Sequence, residues 1–126
     1  MQKIKVLTGT VSIVFLMFIM VSCVTNRGSF FLINKADEPI VRASVTICGQ
    51  TIELNDIQLA QSAQGFYKVT SDSHFDITVE FQSGKKLRRE TGYVTHGFDY
   101  QDEIVVTETN IEITSHKATP HCRVFC

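Results

Sequence analysis

The sequence predicts an all-β fold: a single antiparallel β-sandwich of seven to eight strands behind an N-terminal signal peptide. Residues 74–82 carry the first reason. Phe75, Ile77, Val79 and Phe81 alternate strictly with His74, Asp76, Thr78, Glu80 and Gln82, and a period of two sets one row against a core and the other in water. Apolar segments of this kind recur at roughly 8–12-residue spacing with turn residues between them, the pattern of a sandwich. The 126-residue chain also leaves about a hundred residues once its leader is set aside, the size of one small domain.

The leader begins with Lys3 and Lys5, and an apolar run over 6–21 follows. Thr8, Gly9, Thr10 and Ser12 dilute that run, so its unbroken part is 13–21. A charged start, a short apolar core and small residues near the cut are the layout of a secretory signal peptide. The lysines stay on the cytoplasmic side, and a spanning helix would need roughly 20 mostly apolar residues. The run ends in Met20-Val21-Ser22-Cys23, which resembles the lipobox of bacterial lipoproteins. Val21, Ser22 and Cys23 match, and Met20 stands where leucine is usual. The resemblance covers these first residues alone. It implies that residues 1–22 are removed and that Cys23 is acylated and holds the protein to the membrane. Each buried methylene contributes about 0.8 kcal/mol and one chain binds marginally, so two or three chains on one sulfur would prevent release. Val24 follows where aspartate would retain an enterobacterial lipoprotein at the inner membrane, so the expected address is the periplasmic face of the outer membrane.

Residues 23–28 are expected to form the lipidated cysteine and a short tether, 29–116 the sandwich, and 117–126 a tail. Residues 24–28 reach at most about 17 Å at roughly 3.3 Å per residue, so the domain should sit close to the membrane. The first strand covers 29–34, where Phe30-Phe31-Leu32-Ile33 predicts burial on both faces or against a partner. Pro39 breaks the chain before a second strand at 40–48, with Val41, Ala43, Val45 and Ile47 on one side. Gly49-Gln50 turns into a short strand at 51–54. Residues 55–65 lack a period and predict a loop plugged by Ile57 and Leu59. Strands follow at 66–70 and 74–82. Ser83-Gly84 is a hairpin signal, and 85–94 returns with Leu87, Arg89, Thr91 and Tyr93 on one side. A loop at 95–99 precedes strands at 100–107 and 111–115. The size and layout resemble immunoglobulin-like or transthyretin-like domains, although no Cys…Trp…Cys signature is present and the chain has no tryptophan.

The formal net charge is −1 and falls to −3 once Lys3 and Lys5 leave with the leader, which is no footprint for nucleic acid. Lys85, Lys86, Arg88 and Arg89 cluster around the hairpin and predict a solvated tip. Of four cysteines, lipid on Cys23 leaves Cys48, Cys122 and Cys126 in an oxidising compartment. Their odd number predicts one disulfide and one thiol. The favoured pair is Cys48 with Cys122, whose loop of about seventy residues would contribute about 4 kcal/mol on the chain-entropy account.

His116, His121, Cys122 and Cys126 are all zinc- or copper-binding types. They lack a C-x2-C knuckle, so a metal- or small-ligand-binding tail stands as the alternative to a disulfide with two exposed histidines. Ser73, His74 and Asp76 are neighbours on one strand and cannot supply the geometry of a hydrolase triad. Tyr93, Phe98, Asp99 and Tyr100 surround Gly97 and predict a loop that binds a partner. The expectation is therefore a membrane-anchored envelope lipoprotein, not an enzyme, without a cofactor, that binds an envelope protein in an accessory or immunity-type role.

Overall fold

Eight strands account for nearly all of the computed structural model, which describes residues 25–118. They are β1 Arg27–Asn34, β2 Ile40–Ile47, β3 Gln50–Ile57, β4 Ser62–Lys68, β5 Ser73–Phe81, β6 Lys86–Val94, β7 Asp99–Val106 and β8 Ile111–Ala118. One sheet has the order β4-β1-β7-β8 and the other β3-β2-β5-β6. The pairing is antiparallel except between β1 and β7, which run parallel. An immunoglobulin constant-type domain would place its first, second, fourth and fifth strands in one sheet. Here β2 and β5 lie in the opposite sheet from β1 and β4, so the strand order is not that of an immunoglobulin constant-type domain.

The core follows the alternation. Phe30 and Leu32 face Ala43, Val45 and Ile47, Phe75, Ile77, Val79 and Phe81, and Ile104 and Val106, all buried. Such side chains contribute about 1.5–3 kcal/mol each on burial. The first strand departs from the expectation of two covered faces. It alternates, and Phe31 is 47% exposed on the outer face, because β1 has sheet neighbours on both sides but a second layer on only one.

Two glycines let aromatic rings lie across this sheet. Gly28 is the register partner of Tyr67, and Gly65 that of Phe30. A Cβ on Gly28 would stand 2.0 Å from Tyr67 Cζ, and one on Gly65 would stand 2.2 Å from Phe30 Cζ. Each ring covers the bare backbone of the glycine opposite, as in aromatic rescue of strand glycines.

Several boundaries move for physical reasons. The expected loop at 55–65 shrinks to four residues, since β3 runs to Ile57 and β4 starts at Ser62. Ile57 is buried as expected, but Leu59 is exposed in the turn. The β2–β3 turn is Cys48-Gly49, both with positive φ (50° and 70°), the geometry of a two-residue type I′ hairpin. In β6 an extra residue at Gly92 shifts the register against β5, so that Ser73 pairs with Val94 and Phe75 with Thr91. Gly92 takes φ 72°, and this bulge turns Val94 inward and Tyr93 outward, reversing the predicted side of Tyr93. Arg27 and Gly28 belong to β1 rather than to a tether, Asp99 opens β7, and β8 extends to Ala118.

A buried polar residue seals the end of the sandwich where β1 finishes. Asn34 is fully buried, donates through Nδ2 to the carbonyls of Glu38 and Ile57 (both 3.0 Å), and accepts from the Ala36 N–H at 3.0 Å. Its side chain thereby closes three backbone groups that would otherwise be buried without partners.

Candidate interaction surface

At the other end of the sandwich, β1 and β7 begin and β4 and β8 finish. Asn26, Cys48-Gly49, and the connections 69–72 and 95–98 gather there. The 95–98 loop is held from below. Asn26 Oδ1 accepts the Gly97 N–H at 3.0 Å, Tyr100 Oη accepts the Thr95 N–H at 2.9 Å, and Asp72 Oδ1 accepts the His96 N–H at 2.9 Å. The Arg27 N–H donates to Asp99 Oδ1 at 2.8 Å, and Tyr93 Oη donates to Asp72 Oδ2 at 3.2 Å. That last contact holds the Tyr93 phenol above its ordinary pKa. Gly97 takes φ 98°, which an L side chain rarely adopts.

This loop and the end of β6 hold out two aromatic rings. Tyr93 is 58% and Phe98 42% exposed, and Lys117 Nζ lies 4.1 Å from the Phe98 ring centroid, a cation–π contact. Of the residues predicted to form a partner-binding loop, Tyr93 and Phe98 are therefore presented outward. Tyr100 is buried and works from beneath, and Asp99 spends one oxygen on Arg27.

The sequence reading missed a second exposed surface, the outer face of β1 and β4. Arg27 stands opposite Lys68, Ser29 opposite Phe66, and Phe31 opposite Gln64. Phe66 is 67% exposed. A cleft of about 430 Å³ opens beside it, lined by Arg27, Gly28, Gln50, Phe66, Tyr67 and Lys68. The Gln50 amide clasps the edge of β4 across the two sheets, with Nε2 donating to Lys68 O at 2.7 Å and Oε1 accepting from Lys68 N at 3.0 Å. Phe31 lay hidden in an apolar run, and Phe66 in a segment whose register could not be read before its partner strand was known.

Below the cleft, Tyr67 Oη donates to the buried Asp102 Oδ2 at 2.5 Å, while Asp102 Oδ1 has no hydrogen-bond partner. Burial pushes the Asp102 carboxyl above the ordinary carboxylate range, against the pull of the Tyr67 hydrogen bond. Burial and the Asp102 contact push the Tyr67 phenol up as well. The pair is enclosed by Phe75, whose ring meets Tyr67 edge-on at 5.7 Å.

The remaining sequence candidates do not converge among the described residues. Ser73 Oγ accepts the Cys48 N–H at 3.1 Å, and Asp76 is gripped by Arg88 through two hydrogen bonds of 3.0 and 2.8 Å. Arg88 holds the Asp76 carboxyl below the usual range. His74 lies 4.0 Å from Glu90. Cys48 is a partly exposed free thiol whose Sγ donates to Ser71 O. Its expected partners Cys122 and Cys126 lie outside the described residues, as do Cys23 and His121. His116 is exposed on β8. No group of three or more His, Cys, Asp or Glu among the described residues is placed to hold a metal ion.

No known protein family matches the sequence, and no curated protein matches it. Solved structures do resemble the fold. A protein from Eubacterium rectale, determined by NMR, superposes with a TM-score of 0.52 at 17% identity, over 75% of this chain and 92% of that one. A candidate cell adhesion protein from Bacteroides uniformis gives a TM-score of 0.48 at 12% identity, over 75% of this chain and 51% of that one. The chain thus spans about half of the Bacteroides protein. The likeness to the Eubacterium protein shows the β-sandwich fold alone.

Proposed function

We propose that this chain is a bacterial envelope lipoprotein, held by lipid on Cys23 at the periplasmic face of the outer membrane, whose sandwich binds another envelope protein and carries out no catalysis. The address rests on the resemblance of Met20-Val21-Ser22-Cys23 to a lipobox. The binding role rests on one observation: Phe66 and Phe31 lie diagonally adjacent and wet on the outside of a sheet. Leaving a phenylalanine in water forgoes about 1.5–3 kcal/mol, and clustered exposed aromatics mark interaction surfaces. Glu103 stands beside Phe31 on β7, so the fitting partner is apolar at its centre with a basic group at its rim.

The test is made on the full chain in bacteria. Labelled palmitate should enter the wild type and not Cys23→Ser. A photo-crosslinking residue at position 66 should give one discrete adduct that disappears with Phe31→Glu. Absence of label sinks the anchor, and absence of a discrete adduct sinks the partner surface.

A further inference from the structure

We propose that the end of the sandwich carrying Asn26 seats on the lipid headgroup layer, with Phe98 as its inserted ring and Lys117, Arg27 and Lys68 as its phosphate-facing cations. The proposal rests on the lipid anchor argued above and adds a second membrane contact that fixes how the domain stands.

Covalent reach carries the first part. The described sandwich begins at Asn26, only three peptide steps after Cys23. Those steps span at most about 11 Å at roughly 3.6 Å each. Asn26 Oδ1 holds the Gly97 N–H at 3.0 Å, so the 95–98 loop is fixed to the residue at which the sandwich begins. The headgroup layer on each side of a bilayer is itself roughly 5–7 Å thick. A ring on that loop therefore lies within reach of the interface, where aromatic side chains with a polar neighbour are favoured.

Charge carries the second part. The acids at this end, Asp72 and Asp99, both accept backbone N–H groups. Arg27, Lys68 and Lys117 form no ion pair among the described residues. Arg27 and Lys68 face each other directly across the β1–β4 register, an arrangement that disfavours the pairing unless anions lie nearby. A leaflet with anionic headgroups supplies them. Lys117 over the Phe98 ring joins the apolar and cationic elements in one contact.

The chain has no tryptophan, which gives a direct test. Full-length F98W and, as a control at the opposite end, L59W are purified from membranes. Both are reconstituted into vesicles of phosphatidylethanolamine and phosphatidylglycerol containing brominated acyl chains. Both sites are exposed, so the fold is retained. Bromine should quench F98W at least about threefold more than L59W, and replacing phosphatidylglycerol with phosphatidylcholine should reduce the difference. Equal quenching in protein that floats with the vesicles overturns this proposal and leaves the anchor standing. Protein that does not float overturns both. A crosslinker at position 98 that captures protein rather than lipid assigns the loop to a protein partner and also overturns it.

Discussion

Replacing Gly65 with alanine separates two opposed expectations. A glycine in a strand that takes an ordinary φ is normally improved by alanine, by about 0.4–1 kcal/mol, because the unfolded chain loses freedom. Gly65 has no positive φ, so that gain applies in full. The added Cβ, however, would stand 2.2 Å from Phe30 Cζ and 2.5 Å from Cε1, where carbon atoms prefer about 3.5–4.0 Å. The Phe30 ring is fully buried, with Tyr67 beside it at 6.5 Å between centroids, so it cannot swing into water. Overpacking of this kind costs about 1–3 kcal/mol, and the steric effect wins. The expected net is a loss of about 1–2 kcal/mol, a fall in Tm of about 10 °C for a domain of this size. Urea and thermal unfolding of the variant give the number. Gln64→Ala, on the exposed face of the same strand, should change stability by less than about 0.5 kcal/mol. In the double variant with Phe30→Leu the two costs should fail to add by at least about 1 kcal/mol. A Gly65→Ala protein as stable as the wild type, or costs that simply add, would refute the ring-over-glycine account.

Two further perturbations probe the buried polar groups. Asn34→Ala strands the Glu38 and Ile57 carbonyls and the Ala36 N–H, so it should cost about 3–5 kcal/mol in a urea titration; a loss under about 1 kcal/mol would mean that water replaces the amide. Because burial raises the Asp102 pKa, the folded chain keeps a proton that the unfolded chain gives up. That contribution is whole below the unfolded-state pKa of about 4 and is lost as pH rises through the folded-state value. Asp102→Asn should therefore gain on the wild type as pH rises from about 4 toward 7, read from urea midpoints across the range. A variant that instead loses ground to the wild type over that range would show Asp102 stabilised as the anion.

Alternation made the sheets legible and little else. The strict row in 74–82 and the row Ala43, Val45 and Ile47 marked two central strands because each has one wet face and one dry one; Val41, expected in that row, is 43% exposed, because the irregularity between Ile40 and Arg42 turns Ile40 inward instead. Polar edge strands hid: Asn55, Asp56 and Ser62 sit in β3 and β4 although nothing in their local preference asks for a strand, and pairing with β2 and β1 decides the matter. The apolar run at 30–33 misled because exposure of Phe31 depends on what covers the sheet, which is not a local property. Nothing in the sequence marks Asn34 and Asp102 as buried, since composition cannot show that a polar side chain will find partners inside. The glycine–ring pairs at 28 and 67 and at 65 and 30 exist only once register is set.

The contrast between two sets of cations shows most directly how function-bearing chemistry escapes a linear reading. Lys85, Lys86, Arg88 and Arg89 stand together in the sequence, yet most of that charge is spent locally. Arg88 is committed to Asp76 and Glu90, Lys85 to the Glu108 carbonyl, and Arg89 to Asn110 and the Ile111 carbonyl. Arg27, Lys68 and Lys117 are scattered along the chain and attract no notice there. The parallel pairing of β1 with β7, with β4 and β8 antiparallel on either side, brings the start of one strand and the ends of two others to the same end of the sandwich. It brings Arg27, Lys68 and Lys117, which form no ion pair among the described residues, to the end that carries Asn26. On a chain of net charge −1, a local cationic end makes the molecule electrically polar, and under the membrane-seating proposal an anionic leaflet would hold that end and repel the remainder. Topology, rather than any motif, turns isolated residues into a surface with a direction.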